Sequence, residues 1–318
     1  MCTNLLHSCF AMIHRFTLTP LAPYSLALTV ARFARFKAEI VDRAQPDRYQ
    51  RLLTVNGQQA LATVTDAGTT ARPVLQVQLE SIRKANLDDP QFAAQLRHIL
   101  CTDLDLRPFY HRARVDELLA PIVPRFRGLK LVASPTIFES LVMAVLSQQV
   151  NLTFAYAIKK ELVEAFGNKC RVNGETFYTF PEPERFAVET EESLRRFRLS
   201  TAKAGTLVRL GQAFASDAFT QEELATLSDE TVVERLTRMK GIGRWSAETC
   251  LLRGLARPDA FPGGDLGVVK YLAQGLLGKT EQATEAEMRA FAERWRPYRG
   301  LALIYCYAEL MRRRELGS

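Results

Sequence analysis

Leu236-Thr237-Arg238-Met239-Lys240-Gly241-Ile242-Gly243-Arg244-Trp245-Ser246-Ala247 is the stretch from which the rest of the chain can be read. Two glycines two apart sit between apolar-periodic runs, and glycine accepts positive φ and leaves room for a close approach. The spacing predicts a very tight reversal between two helices, a hairpin spanning about 229–256. Amides of such a turn, and of the first turn of the following helix, point outward as an anion site. Residues 235–257 hold six basic side chains (Arg235, Arg238, Lys240, Arg244, Arg253, Arg257) and one acid, Glu248. That charge suits a phosphate backbone. The same glycines also suit an ordinary glycine-stopped helix junction, so the hairpin alone leaves both readings open.

Twenty residues beyond Trp245, the run Phe261-Pro262-Gly263-Gly264-Asp265-Leu266-Gly267 delivers an acid at the expected start of another helix. Taken alone, Asp265 is an N-cap whose carboxylate accepts the first free backbone amides. A capped carboxylate is also fixed and kept ionised, so capping and chemistry are compatible. The hairpin motif, followed at this distance by the Pro-Gly-Gly-Asp loop, resembles the helix–hairpin–helix, Gly/Pro-Asp (HhH-GPD) superfamily of DNA base-excision glycosylases. Within it, the resemblance is to the 3-methyladenine DNA glycosylase II branch, which acts on alkylated bases. Ala144-Val145-Leu146-Ser147-Gln148-Gln149-Val150 resembles the helix end that meets DNA in that family. Phe180-Pro181 through Lys203-Ala204 resembles its middle helices, and Glu293-Arg294-Trp295-Arg296-Pro297-Tyr298-Arg299 the entry to its last helix. The resemblance covers roughly 125–314.

The resemblance implies an enzyme that flips an alkylated purine out of duplex DNA and hydrolyses its glycosidic bond without cutting the strand. A base must leave the stack to be reached. Asp265 matches the catalytic carboxylate, whose charge would stabilise an oxocarbenium ion and orient or deprotonate water. Trp245 and Tyr307 match the aromatics of the base pocket, suited to a cationic, electron-poor base; Tyr305 and Tyr298 are nearby alternatives, and a core role for Tyr307 stays open. Gly241, Ile242, Gly243 and Arg244 match the DNA-binding hairpin. Gln149 stands where a well-known member of the family carries a leucine wedge; it either fills the gap left by the flipped nucleotide or, with Gln148, bridges helices. The resemblance also implies a sodium or potassium ion on the backbone carbonyls of Thr237, Met239 and Gly241, and no other cofactor. Two other function classes compete. A glycosylase with lyase activity on oxidised bases would carry a Schiff-base lysine directly after Gly-x-Gly-Arg, where this chain has Trp245. A non-catalytic DNA-binding module would need the hairpin but not Asp265.

Outward from the hairpin, the chain reads as helical from about residue 86 to its end, with expected capping boxes at Thr136–Glu139, Thr220–Glu223 and Thr284–Glu287. Pro124, Pro135, Pro181, Pro262 and Pro297 fall between expected helices. Ile137 to Val150 is apolar almost all round and predicts a central, buried helix. Toward the amino terminus, Leu26–Phe33, Gln50–Asn56, Ala60–Asp66 and Val74–Leu79 read as strands, with Asn56-Gly57 as a tight turn. The expectation is a mainly α protein: a small α+β domain with an antiparallel sheet over 1–112, then an all-helical glycosylase body over 113–318.

Composition narrows the remaining classes. The 318 residues carry 42 Lys and Arg against 35 Asp and Glu, a net charge of +7, which admits a nucleic-acid partner. The six cysteines, at 2, 9, 101, 170, 250 and 306, include no C-x-x-C pair, which argues against an iron–sulfur cluster or a cysteine-ligated zinc. Met1–Phe16 has no basic start and is interrupted by His7, Ser8 and Cys9, unlike a signal peptide. No apolar run is long enough to span a membrane. The chain is thus expected to be a cytoplasmic monomer acting on double-stranded DNA that contains damaged bases.

Overall fold

The structure, a computed structural model, describes residues 12–82 and 87–316; most of the Met1–Phe16 segment therefore lies outside the described residues. Five strands, β1 (Ile13–Leu18), β2 (Asp42–Gln45), β3 (Arg48–Val55), β4 (Gln58–Asp66) and β5 (Leu75–Ser81), form an antiparallel sheet in the order β1-β5-β4-β3-β2. Asn56 and Gly57 turn β3 into β4 with φ of 49° and 74°, the left-handed pair that a two-residue hairpin needs. Three of the four expected strands lie within β3, β4 and β5 to within a residue. Leu26–Phe33 does not: it folds as α1 (Leu26–Val30) and a 3₁₀ turn at Phe33–Arg35. The Ser25 hydroxyl caps the Leu28 amide, and Leu26, Thr29, Val30 and Phe33 are buried, so the apolar spacing is helical rather than alternating.

The sheet buries one face against α2 (Asp89–Ile99), with Leu53, Val64, Val77 and Leu79 meeting Phe92 and Leu96. On the opposite face Leu52 and Leu61 are covered by Phe177. That cover comes from a second hairpin, β6 (Lys169–Val172) and β7 (Glu175–Tyr178), within the stretch expected to be entirely helical. Its turn is Asn173-Gly174, again left-handed at 50° and 84°, the same signal as Asn56-Gly57.

The helical body comprises α3 (Arg107–Ala113), α4 (Ile137–Ser147), α5 (Leu152–Phe166), α6 (Pro183–Ala187), α7 (Glu191–Arg195), α8 (Thr201–Ala215), α9 (Gln221–Thr226), α10 (Asp229–Thr237) and α11 (Arg244–Arg253). A π-helical stretch, Gly267–Leu272, then runs into α12 (Ala273–Gly275), followed by α13 (Glu285–Ala292) and α14 (Arg299–Glu315). Its central member is α4, all of whose residues are buried but Met143 and Ser147. Pro124 lies inside a short 3₁₀ turn, Val123–Phe126, at the first-turn position where its missing N–H is no loss. Thr136, Thr220 and Thr284 all cap their helices, but among these three only Thr284 has the reciprocal bond from its third-position glutamate. Glu223 pairs instead with Arg235, and Glu139 is drawn inward.

Glu139 joins a buried ionic cluster that bolts the sheet to the helical body. Arg51 on β3 donates to Asp42 at 2.8 Å and to Glu139 on α4, Lys159 on α5 donates to Glu39 at 2.7 Å, and Tyr49 donates to Asp42 at 2.6 Å. Burial alone would raise the Asp42 carboxyl, but Arg51 and then Lys159 hold it below its usual range; burial prevails at Glu139 and raises it. Removing one member of such a buried set costs about 3–5 kcal/mol, because the partners stay buried and unpaired. The sheet is therefore fixed against the body. Phe109 and Tyr110 of α3 pack there too, against Tyr305 at the helical core.

Candidate active site and nucleic-acid interface

The Gly241-Ile242-Gly243 turn joins α10 to α11 with Ile242 buried as its anchor. The two glycines are there for different reasons. Gly241 has φ +98°, and a Cβ at this position would overlap the Thr206 side chain on α8. Gly243 has no heavy atom within 4 Å of its would-be Cβ among the described residues, so their packing does not demand a glycine there. It is the N-cap of α11 and has no capping side chain, so no side chain caps the first amides of this ten-residue helix.

Neighbouring elements lock the turn. Gln148, just past α4, donates through Nε2 to the Gly241 carbonyl at 3.0 Å and to Ser246 Oγ at 3.1 Å. Thr206 Oγ1 and Arg209 Nε donate to the Lys240 carbonyl, and Lys203 Nζ donates to the Leu146 carbonyl at 2.9 Å. The two glutamines thereby separate. Gln148 bridges the α4–α5 turn to the hairpin, while Gln149 is exposed with φ +54° and its side chain has no hydrogen bond among the described residues. The carbonyls expected to hold a cation are partly engaged: Met239 O accepts from Ile242 N and Gly241 O from Gln148. Each keeps a second lone pair, so these bonds do not bar the carbonyls, with Thr237 O, from accepting a monovalent ion.

The basic cluster is less free than its sequence suggests. Arg244 donates to Glu248 at 2.9 Å and bidentately to Glu230 at 3.1 Å, bracing α11 to α10. Arg235 pairs with Glu223 and Arg257 with Asp229. Arg253 donates to the Val132 carbonyl, and burial lowers its guanidinium to about 9. Of the six, only Arg238 and Lys240 are exposed and free of an ion pair among the described residues. Arg244, expected to grip phosphate, is paired with two carboxylates.

Asp265 caps the turn that leads into the π-helical stretch, as its sequence context predicts. Its Oδ1 accepts from the Gly267 amide at 2.7 Å and from the Tyr307 hydroxyl at 3.0 Å; its Oδ2 accepts from Trp245 Nε1 at 3.0 Å. Three elements, the Asp265 loop, α11 and α14, therefore converge on one carboxylate. Burial, and after it the Asp265 charge, pushes the Tyr307 phenol far above its usual range, so it remains a donor. Tyr305 is core: it is fully buried and bonds Tyr110 and the Leu129 carbonyl. Tyr298 packs on Phe109. The sequence reading missed Gly267 and Thr206. Gly267 stands in the run that carries Asp265, and a Cβ there would crowd both the Tyr307 hydroxyl and Asp265 Oδ1. Thr206 carried no local signal, because only tertiary packing brings α8 to the hairpin.

An amide-lined hairpin beside a half-buried, aromatic-bonded carboxylate defines a helix–hairpin–helix nucleic-acid protein equipped for chemistry. The sequence profile of the HhH-GPD superfamily of base excision DNA repair proteins matches residues 142–297. DNA-3-methyladenine glycosylase of Bacillus subtilis is 33% identical over 208 residues, 65% of this chain and 68% of that one. Among solved structures, 3-methyladenine DNA-glycosylase from Archaeoglobus fulgidus superposes with a TM-score of 0.79 at 24% identity, covering 93% of this chain and 98% of that one. The Schizosaccharomyces pombe 3-methyladenine DNA glycosylase in complex with abasic DNA is 28% identical, with a TM-score of 0.53 over 63% of this chain and 94% of that one. The chain belongs to the HhH-GPD superfamily, in its 3-methyladenine DNA glycosylase branch.

Proposed function

We propose that this protein is a monofunctional DNA glycosylase that flips alkylated purines of the 3-methyladenine and 7-methylguanine type from duplex DNA and releases them by hydrolysis in base excision repair. The observation that carries this reading is the Asp265 carboxylate, held by Trp245, Gly267 and Tyr307 beside the hairpin. Loss of an alkylpurine leaves an electron-poor sugar, and a fixed anion stabilises the oxocarbenium character that develops there. The uncapped first turn of α11, with Arg238 and Lys240, would supply the phosphate contacts, and Gln149, exposed on the adjacent turn, would fill the gap left by the flipped nucleotide. A sodium or potassium ion on the Thr237, Met239 and Gly241 carbonyls would add one positive charge to that phosphate grip. The lyase reading is disfavoured because the position for a Schiff-base lysine holds Trp245, whose indole N–H is bonded to Asp265. The working form is a monomer in the cytoplasm, and no helix among the described residues is long and apolar enough to cross a membrane.

The test is single-turnover release of 7-methylguanine from alkylated duplex. Asp265→Asn keeps size and capping but removes the charge, so the chemical step should slow by about 10²–10³, the scale of losing one preorganised electrostatic group. Duplex affinity should be retained, and the thermal midpoint should fall by no more than the loss of the Trp245 Nε1–Oδ2 bond, because the Asn amide nitrogen would face the indole N–H. Full activity in the Asn variant would overturn the mechanism, and strand scission by the unmodified protein would favour the lyase.

A further inference from the structure

Tyr307 matched the family only as an aromatic ring, yet its ring is not what touches the reacting group. Its hydroxyl lies 3.0 Å from Asp265 Oδ1, the oxygen that also takes the Gly267 amide. Two features of the fold make that bond possible. Gly267 has no side chain, and a Cβ there would stand 2.5 Å from the hydroxyl. The phenol also stays protonated at any working pH, since burial and the neighbouring carboxylate both oppose its ionisation. The other ionisable groups around it are Arg253 on α11 and Cys306 on its own helix; burial pushes the Cys306 thiol up, so it is uncharged. Trp245 approaches the opposite oxygen from α11.

We propose that Tyr307 is a positioning residue for the glycosylase reaction, acting through its hydroxyl on Asp265 rather than through stacking on the base. The bond does two things. It ties α14 to the Asp265 loop, so that the carboxylate plane cannot rotate away from the sugar. It also fixes where Oδ1 points, since the Tyr307 hydroxyl and the Gly267 amide hold that oxygen together. A ring that served only as a stacking surface would work equally well as phenylalanine. The proposal rests on the glycosylase reading above.

Tyr307→Phe tests it, because the ring and its volume survive and only the hydroxyl is lost. Single-turnover release of 7-methylguanine under saturating enzyme should slow by about 10-fold or more, the scale of losing one hydrogen bond to a charged group. Titration against damaged duplex should give the unmodified affinity, and the thermal melt should be nearly unchanged. The loss should fall on the saturated rate alone, with the enzyme concentration for half-maximal rate unchanged, since the hydroxyl acts on Asp265 and not on the base. A purely structural role would lower the thermal midpoint together with the rate. A wild-type saturated rate in the Phe variant would overturn the proposal, as would weaker binding of damaged duplex with an unchanged saturated rate, which is the signature of stacking. Absence of base release by the unmodified protein would instead remove the glycosylase reading, and the proposal with it.

Discussion

A carboxylate that accepts bonds from an indole, a phenol and a backbone amide has lost the freedom to turn, and that constraint changes how mutants at this site must be read. Under the proposed mechanism Trp245 has two separable functions: its ring would stack on a flipped base, and its Nε1 holds Asp265 Oδ2. Trp245→Ala removes both at once and cannot distinguish them. Trp245→Phe keeps a ring and deletes only the donor. If stacking dominates, the Phe variant should keep most of its excision rate while the Ala variant falls by about one to two decades, since base–aromatic stacking is worth roughly 1–3 kcal/mol. If the indole N–H dominates, both variants should slow alike. Single-turnover rates on one alkylated duplex decide between these outcomes.

At the scale of elements, the hairpin is a rigid piece whose two glycines answer to different demands. Gly241→Ala should destabilise the fold by about 1–3 kcal/mol, because it forces a side chain into a left-handed backbone and against Thr206. Gly243→Ala should melt like the unmodified protein, since its Cβ meets nothing, but should bind duplex several-fold more weakly by intruding where a phosphate approaches the α11 amides. Equal melting losses in both variants would show that Gly243 is structural. The charges divide in the same way. Arg238→Ala should lessen the steepness of the salt dependence of duplex binding by about 0.9 on the log–log scale, as one phosphate contact is lost. Arg244→Ala should leave that slope nearly intact and lower the thermal midpoint, because its guanidinium braces Glu230 and Glu248. The reverse pattern in affinity titrations between low and moderate salt would return Arg244 to the DNA.

The whole molecule is held by buried charge as well as apolar packing, which gives it a pH dependence. Glu309 on α14 is enclosed by Arg312, Arg313 and Arg125, and hydrogen bonds from Arg312 and then Arg313 depress its carboxyl to about 2. A depressed carboxyl stabilises the fold above its unfolded value, near 4.5, and loses that contribution as pH falls toward 2. Urea midpoints measured from pH 6 down to pH 3, values set by about that window, should fall more steeply for the unmodified protein than for Glu309→Gln. Parallel curves would mean that the arginines stabilise α14 without sensing its charge.

Local sequence was enough for whatever depends on a few neighbouring residues. Asn56-Gly57 marks a hairpin because only left-handed backbone closes it, and Asn173-Gly174 carried the same signal inside a stretch read as helical. The Thr caps, the Gly-Ile-Gly turn and the Asp265 N-cap are equally local, which is why the helical body and its family were legible. Leu26–Phe33 was misread because a short apolar run fits both periods, and the Ser25 cap decides only once the helix packs. What sequence could not settle was pairing. Arg244 and Arg238 look alike in a basic run, yet one is braced by carboxylates from two helices and the other has no ion pair among the described residues. Gln148 and Gln149 are adjacent and identical, yet one bridges the hairpin and the other faces solvent. Backbone preference is a property of a residue and its neighbours, whereas the partner of a polar side chain is chosen by whatever distant element the fold brings within about 3 Å.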